Sequence, residues 1–160
     1  MSTQALFQLG MDLGRPSPAQ KEDCTVRTDG PDEAHERKDY FVERDGRRFA
    51  GTHLIVDLVD AERLDDLEHI DRTLRDCVDA AGATLLHIHL HHFTPNHGVS
   101  GVAVLAESHI SIHTWPERGF AALDVFMCGS ARPEACIDVL KQAFQPAEIE
   151  ITELLRGEGV

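Results

Sequence analysis

A serine and a histidine near the middle of the chain are spaced so that the chain could cut its own backbone. Residues 102–106 form an apolar run that is typical of a buried strand. The run ends at Glu107-Ser108, and the next segment alternates, with Ser108 on the face of Ile110 and His113 on the opposite face. A tight corner between two strands would place the Ser108 hydroxyl beside the Glu107 carbonyl. With a histidine nearby, this arrangement favours self-cleavage between Glu107 and Ser108.

The residues around this corner resemble the processing site of the short prokaryotic S-adenosylmethionine decarboxylases. The resemblance rests on AESHISIHTWPE at residues 106–117, GVSG at 98–101 and DVFMCG at 124–129. It extends over roughly residues 50–155. It implies a self-processing carboxy-lyase that converts S-adenosylmethionine into the aminopropyl donor for spermidine synthesis, without a separately bound cofactor.

The expected self-cleavage begins with an N-to-O acyl shift. The Ser108 hydroxyl attacks the Glu107 carbonyl and converts the amide into an ester. Loss of the Ser108 Cα proton and departure of the Glu107 carboxylate leave dehydroalanine, which hydrolyses to a pyruvoyl group and ammonia. The pyruvoyl group starts a chain of 53 residues, 108–160, and it does the electron-sink work that pyridoxal phosphate does elsewhere.

The resemblance also implies roles for single residues. His113 matches the histidine that takes the Cα proton during processing, a task suited to an imidazole, and Ser100 matches a serine that hydrogen-bonds the reacting carbonyl. Cys128 matches the residue that protonates the product carbon. Glu117 aligns with an acidic residue that binds the substrate's ribose, and Phe93 with an aromatic residue that stacks on adenine. Each of these side chains also has an ordinary structural interpretation in a turn, a strand or the core.

Two departures from the family pattern lie near the expected pocket. The segment between Phe93 and Gly98, residues 94–97, is one residue longer than usual, and Arg118 stands where an aromatic residue is common. Relatives with the same processing motif decarboxylate arginine or ornithine. L-Ornithine and L-arginine therefore stay open as substrates, and so does a non-cleaving relative with a binding or regulatory role.

Three alternating histidines raise the question of a metal. His87, His89 and His91 share one face of a predicted strand and could bind zinc. Strand residues two apart are separated by ~7 Å, and no acidic or cysteine ligand joins them at a familiar spacing. We therefore predict no metal site, and expect these histidines to line a polar interface or the pocket.

The composition limits the classes of molecule that the protein is expected to bind. A formal net charge of −13 disfavours nucleic acid and is compatible with a cationic small molecule such as an amine or a sulfonium. No apolar run approaches the ~20 residues that span a bilayer. The four cysteines show no CxxC spacing, which favours reduced thiols. We expect a cytoplasmic protein with no membrane contact.

The positioning elements follow from the periodicity of apolar residues. Residues 1–48 are polar and broken by Pro and Gly, so we expect a disordered extension before a single pyruvoyl-decarboxylase domain at 49–160. The predicted elements are a strand at 52–59, a helix over 64–81, strands at 83–93, 99–106, 109–114 and 120–127, a helix starting at Pro133, and a strand at 148–154.

This order predicts an α+β fold, a two-layer sandwich with a mainly antiparallel sheet and two helices on one face. The other face of the sheet is apolar enough to need a cover. That requirement fits a homodimer, which the resemblance also implies, with active sites near the subunit interface.

Overall fold

A short hairpin, six longer strands and two helices make up the structure, a computed structural model that describes residues 40–94 and 97–160. The bounds are β1 Val42–Arg44, β2 Arg47–Phe49, β3 Gly51–Val59, α1 Leu67–Ala81, β4 Leu85–His92, β5 Val99–Leu105, β6 Ser108–Trp115, β7 Phe120–Met127, α2 Ala135–Phe144 and β8 Glu148–Arg156. The described residues belong to one compact unit. The disorder expected for residues 1–39 concerns a segment outside the described residues.

The six longer strands form one antiparallel sheet in the order β4-β5-β6-β7-β3-β8. Both helices pack on the same face, so the predicted α+β two-layer sandwich is confirmed. Burying one large apolar side chain in such a layer contributes about 1.5–3 kcal/mol. The largest fully buried side chains between sheet and helices are Leu58, Ile70, Leu74, Leu105, Ile110, Ile112, Leu123, Met127, Leu140 and Phe144.

Helix α1 begins later than its apolar pattern predicts. The Asp66 carboxylate accepts a hydrogen bond from the His69 N–H at 2.9 Å and caps the helix, so Leu64 lies before the first turn. Leu64 is nevertheless buried, and its carbonyl accepts the Thr114 hydroxyl at 2.7 Å. At the other end Gly82 adopts φ 71, the left-handed conformation expected after a helix.

Helix α2 packs against α1 through two cysteines. It begins at Ala135, just after the predicted Pro133. The Cys136 thiol donates to the Cys77 carbonyl at 3.5 Å, and both side chains are fully buried. The hydrogen bond with Cys136, together with burial, raises the pKa of the Cys77 thiol far above its usual range. These two cysteines are structural.

The face of the sheet opposite the helices, here called the open face, is more polar than predicted. Strand registers place on it His53, His87, His89, His91, His109 and His113. Apolar side chains lie among them, and Ile55, Val104, Trp115 and Leu154 are each about 40% exposed. The alternating sequence therefore supplies a mixed surface of imidazoles and hydrophobic groups.

Strands β1 and β2 form a hairpin inside the segment expected to be disordered. Its two-residue turn consists of Asp45 and Gly46, both at positive φ. Asp-Gly is a common pair for this turn, because its backbone twist matches that of the flanking strands. Residues 42–48 thus depart from the expected disorder.

Neither helix in the described part of the chain is long and apolar enough to cross a membrane.

Candidate active site

The corner expected between two strands is present as a two-residue hairpin loop. Leu105 at the end of β5 pairs with Ser108 at the start of β6, so Ala106 and Glu107 form the loop. Glu107 has φ 62. A residue with a Cβ pays about 1–2 kcal/mol for that left-handed conformation. Conformational strain is therefore stored at the residue whose carbonyl would be attacked.

Cys128 contacts both sides of the Glu107–Ser108 bond. Its backbone N–H donates to the Ser108 Oγ at 3.1 Å, and its thiol donates to the Glu107 carbonyl at 2.8 Å. The pairing of His109 with Phe126 brings the end of β7 beside the corner and accounts for this position. The structure thus brings together Glu107, Ser108 and Cys128.

This arrangement suits attack of the hydroxyl on the carbonyl. A donor on the carbonyl oxygen stabilises the negative charge that develops there. The Ser108 Oγ is fixed by an N–H, and its hydrogen is directed toward the Cys128 sulfur at 3.9 Å. The Ser108 hydroxyl, the Glu107 carbonyl and the Cys128 thiol are therefore within reach of one another.

Ser100 and His113 form a second cluster. They are directly opposite each other on β5 and β6, and the Ser100 Oγ lies 2.8 Å from the His113 Nδ1. The hydroxyl can hold the imidazole in one orientation. Ser100 therefore contacts His113 here rather than the Glu107 carbonyl.

Phe93 and Glu117 lie at the same end of the sheet as His113. Phe93 follows β4, packs edge-on against His91 with ring centroids 4.6 Å apart, and is 48% exposed. Glu117 lies in a 3-10 turn, Pro116–Arg118, directly after β6, and is exposed. Both side chains are accessible to a substrate.

Gly98 closes the loop at this end. Its carbonyl accepts the Phe93 N–H at 2.8 Å, and a Cβ on it would come within 2.7 Å of the Thr114 carbonyl oxygen. Only glycine fits this close approach. Residues 95 and 96 of the longer loop lie outside the described residues.

The two clusters are at opposite ends of β6. Five residues separate Ser108 from His113, a distance of ~17 Å along a strand. The two side chains also belong to opposite faces, because Ser108 shares the alternation of the buried Ile110. One chain therefore does not bring Ser100, His113, Phe93 and Glu117 to the Glu107–Ser108 corner.

A hydrogen-bonded network that sequence reasoning missed lies between the clusters on the open face. Asp124 accepts the Ser111 hydroxyl at 3.0 Å and lies 3.1 Å from the His53 Nε2. Arg156, which can only donate, approaches the His53 Nδ1 at 3.3 Å, so Nε2 carries the proton that is donated to Asp124. The signal was available, because Ser111 and Asp124 are polar residues at alternating positions of two motif strands.

The three alternating histidines do not converge on one point. His87, His89 and His91 run along β4 at the edge of the sheet, and all three are exposed. Among residues 40–94 and 97–160, no group of three or more His, Cys, Asp or Glu side chains is placed to hold a metal ion.

Comparisons with known proteins point to one family. The model of the S-adenosylmethionine decarboxylase family matches residues 52–157. The S-adenosylmethionine decarboxylase proenzyme of Thermomicrobium roseum is 46% identical over 108 residues, covering 67% of this chain and 93% of that protein. The corresponding proenzyme of Methanococcus aeolicus is 47% identical over 113 residues, covering 69% and 96%.

A solved structure agrees with the sequence matches. The crystal structure of the adenosylmethionine decarboxylase from Aquifex aeolicus superimposes with a TM-score of 0.63 at 36% identity, covering 68% of this chain and 92% of that chain. The family match begins at residue 52, so the β1-β2 hairpin lies outside it.

Proposed function

Because this chain belongs to the S-adenosylmethionine decarboxylase family, we propose that it cuts itself between Glu107 and Ser108 and works as a pair of chains. The chain is a proenzyme of a carboxy-lyase that decarboxylates S-adenosylmethionine for polyamine synthesis, with a pyruvoyl group formed from a serine. The observation that carries the assignment of that serine is Cys128, which contacts both the Glu107 carbonyl and the Ser108 Oγ.

The residues at the corner fit formation of the pyruvoyl group. The strained Glu107 supplies a carbonyl whose oxygen already accepts a hydrogen bond, and Ser108 supplies the attacking oxygen. As the hydroxyl adds, the Cys128 thiol stabilises the charge on the Glu107 oxygen. Collapse breaks the C–N bond and leaves an ester, and removal of the Ser108 Cα proton then expels the Glu107 carboxylate. Once formed, the pyruvoyl group supplies a ketone that binds the substrate amine and accepts the electron pair released with carbon dioxide.

The base for the Cα proton is His113 of a second copy. Within one chain the imidazole is ~17 Å from Ser108 along β6, far beyond hydrogen-bond reach. A twofold dimer makes the same patch meet itself in reversed direction. Ser108 is the first residue of β6, where the hairpin loop leaves the sheet, so the partner's His113 can approach the Ser108 Cα from the open face although the Ser108 side chain is on the other face. Two complete sites then result.

The open face provides the surface for this homodimer. It carries Ile55, Val104, Trp115 and Leu154, and burying their exposed apolar area would lower the free energy. The helices already cover the opposite face. Covering the open face with a second copy would also enclose the substrate between the two sheets.

Substrate binding falls to the cluster around His113. We assign the Glu117 carboxylate to the ribose hydroxyls and the exposed Phe93 ring to the adenine. Cys128, at the corner, protonates the product carbon after carbon dioxide leaves. The comparisons give no support to the alternatives L-ornithine and L-arginine.

A carbon dioxide release assay tests the substrate. Purified protein is incubated separately with carboxyl-labelled S-adenosylmethionine, L-ornithine and L-arginine, and we expect label from the first alone. Glu117→Gln should raise KM at least about tenfold with a smaller change in kcat, because it weakens binding remote from the reacting atoms. Glu68→Gln, on the exposed side of α1, is the matched control. Label from ornithine or arginine only would contradict the assignment.

We also propose that the compact unit that contains residues 49–160 acts as one pyruvoyl-decarboxylase domain in the cytoplasm. The three cysteines among the described residues, Cys77, Cys128 and Cys136, are free thiols. Reduced thiols are typical of that compartment.

A further inference from the structure

We infer that the N-terminal hairpin, with the two residues before it, is a brace that holds Cys128 against the Glu107–Ser108 corner. The brace comprises residues 40–49, and it lies outside the part of the chain that matches the family. The inference rests on the proposed self-cleavage and adds a positioning role for a segment to which the family resemblance gives none.

The brace contacts the residue that follows Cys128. The Gly129 N–H donates to the Tyr40 carbonyl at 2.9 Å. A Cβ on Gly129 would lie 3.4 Å from the Tyr40 ring, so the ring packs directly on this glycine. Gly129 has φ 61, a left-handed conformation that glycine adopts without steric cost.

The other end of the brace is attached to β8 and to the turn that follows it. Arg44 pairs with Glu153, and the Arg47 guanidinium donates to Glu158 at 2.6 Å. The hydrogen bond from Arg47 lowers the pKa of the Glu158 carboxyl below its usual range. Phe49, the last residue of β2, is fully buried. Tyr40 is therefore held by anchors that do not involve the active site.

Holding Gly129 restricts Cys128. Cys128 is the single residue between the end of β7 at Met127 and the braced Gly129. Its thiol and its N–H both act on the corner, so a freer backbone here weakens the contacts to Glu107 and Ser108 together. The brace should therefore increase the fraction of uncut chains in which the Cys128 thiol is hydrogen-bonded to the Glu107 carbonyl.

Two truncated chains test this role, one beginning at Lys38 and the other at Arg47, each after an initiator methionine. The first keeps Tyr40, and the second removes Tyr40 and β1 but keeps Phe49; both lack Cys24. Cleavage is followed by intact mass from the time of synthesis. We expect the Lys38 chain to match the full-length rate and the Arg47 chain to cleave about fivefold to tenfold more slowly, the effect of losing one hydrogen bond in the transition state.

The rate of thiol alkylation provides a second readout, which does not depend on global stability. In both truncated chains, Ser108→Ala prevents cutting, and iodoacetamide modification of Cys128 is timed. Cys77 and Cys136 are buried, so Cys128 is the partly exposed thiol among the described residues. We expect at least about threefold faster alkylation in the Arg47 chain, because its thiol is less often bonded to the carbonyl.

Point variants keep the test decisive if the Arg47 chain fails to fold. In the Lys38 chain, Tyr40→Ala removes the ring from Gly129 and should slow cleavage about twofold to threefold, whereas Tyr40→Phe keeps the ring and the full rate. Equal cleavage and alkylation in all these chains would overturn the brace and leave self-cleavage intact. No cleavage in the full-length chain would instead overturn the proposed function. If the full-length chain is cut and the Lys38 chain is not, the same Tyr40 variants are compared in the full-length chain.

Discussion

Ser108 and His113 lie on the same strand but at opposite ends and on opposite faces of the sheet. Their closeness in the sequence suggests that the two side chains could meet. They cannot, because five residues of a strand extend ~17 Å. Proposed self-cleavage needs a base at Ser108, and the His113 of the same chain does not reach it. The dimer in this account follows from that separation as well as from the exposed apolar side chains.

Mixing two inactive variants tests whether His113 acts between chains. Ser108→Ala keeps the histidine and lacks the attacking serine, whereas His113→Ala has the reverse defect. In a mixed dimer one of the two sites regains both residues. When the variants are co-expressed, we expect about half of the His113→Ala chains to be cut, since random pairing places half of them in mixed dimers. Intact mass measures the cut fraction.

The controls for this experiment are each variant alone and a pair of His113→Ala with Ser108→Ala/His113→Ala, which restores no site. All three should remain uncut or nearly so. Cutting of His113→Ala by itself, or no cutting in the mixture despite a dimer in solution, would show that His113 is not the base supplied by the partner.

Cys128 should affect cleavage and decarboxylation to different degrees. Cys128→Ala removes the donor to the Glu107 carbonyl and the proposed proton donor, so we expect cleavage to slow about tenfold or more and decarboxylation to fall by about 10²–10⁴-fold. Cys128→Ser keeps a hydrogen-bond donor and should cleave faster than the alanine variant. Cleavage time courses and carbon dioxide release measure the two steps, and Cys136→Ala, at a buried structural site, is the comparison.

The strain at Glu107 should contribute to the rate of cleavage. Glycine adopts φ 62 without a steric cost, so Glu107→Gly stabilises the uncut corner by about 1–2 kcal/mol. If that strain is released on reaction, cleavage slows about fivefold to thirtyfold. Glu107→Gln retains the strained backbone and should cleave near the normal rate. Equal cleavage rates for the glycine and glutamine variants would show that strain at Glu107 does not contribute to cleavage.

The cap of α1 should make stability depend on pH. The hydrogen bond from Arg63, followed by that from the His69 N–H, lowers the pKa of Asp66 from its ordinary 3.8. The charged carboxylate therefore stabilises the fold above about pH 4, and this contribution is lost as the pH falls through the lowered value. Asp66→Asn keeps a capping group and loses only the charge, so it should lower Tm by about a degree or two at pH 7, with a difference from the unchanged chain that shrinks toward pH 3. Asp65→Asn, next to the cap, should show neither effect.

The sequence was sufficient for most of the fold because apolar periodicity is local. Alternation located β3 and β7, and the three- and four-residue spacing located α1. The start of α1 was placed too early because Leu64 continues the apolar pattern, while the capping side chain of Asp66 decides where helical hydrogen bonding begins. The β1-β2 hairpin was missed although Asp45-Gly46 is a turn signature, because the surrounding composition is polar.

The arrangement of the site was harder to predict because it depends on strand register. The contact of Cys128 with Glu107 requires β7 to pair with β6 so that Phe126 is opposite His109. That register is set by the turn between the strands and by burial across the sheet, and neither can be obtained from the spacing of the motif residues. The contact between Tyr40 and Gly129 joins segments far apart in the chain and has no sequence signature.

The mass of the purified protein tests the central claim most directly. Active protein should consist of two chains that separate on denaturation, one ending at Glu107 and one of 53 residues, 108–160, whose mass and reaction with hydroxylamine identify a pyruvoyl group at its start. Ser108→Ala should remain one full-length chain without activity. An active protein with an uninterrupted backbone between Glu107 and Ser108, or a cut Ser108→Ala chain, would contradict the account.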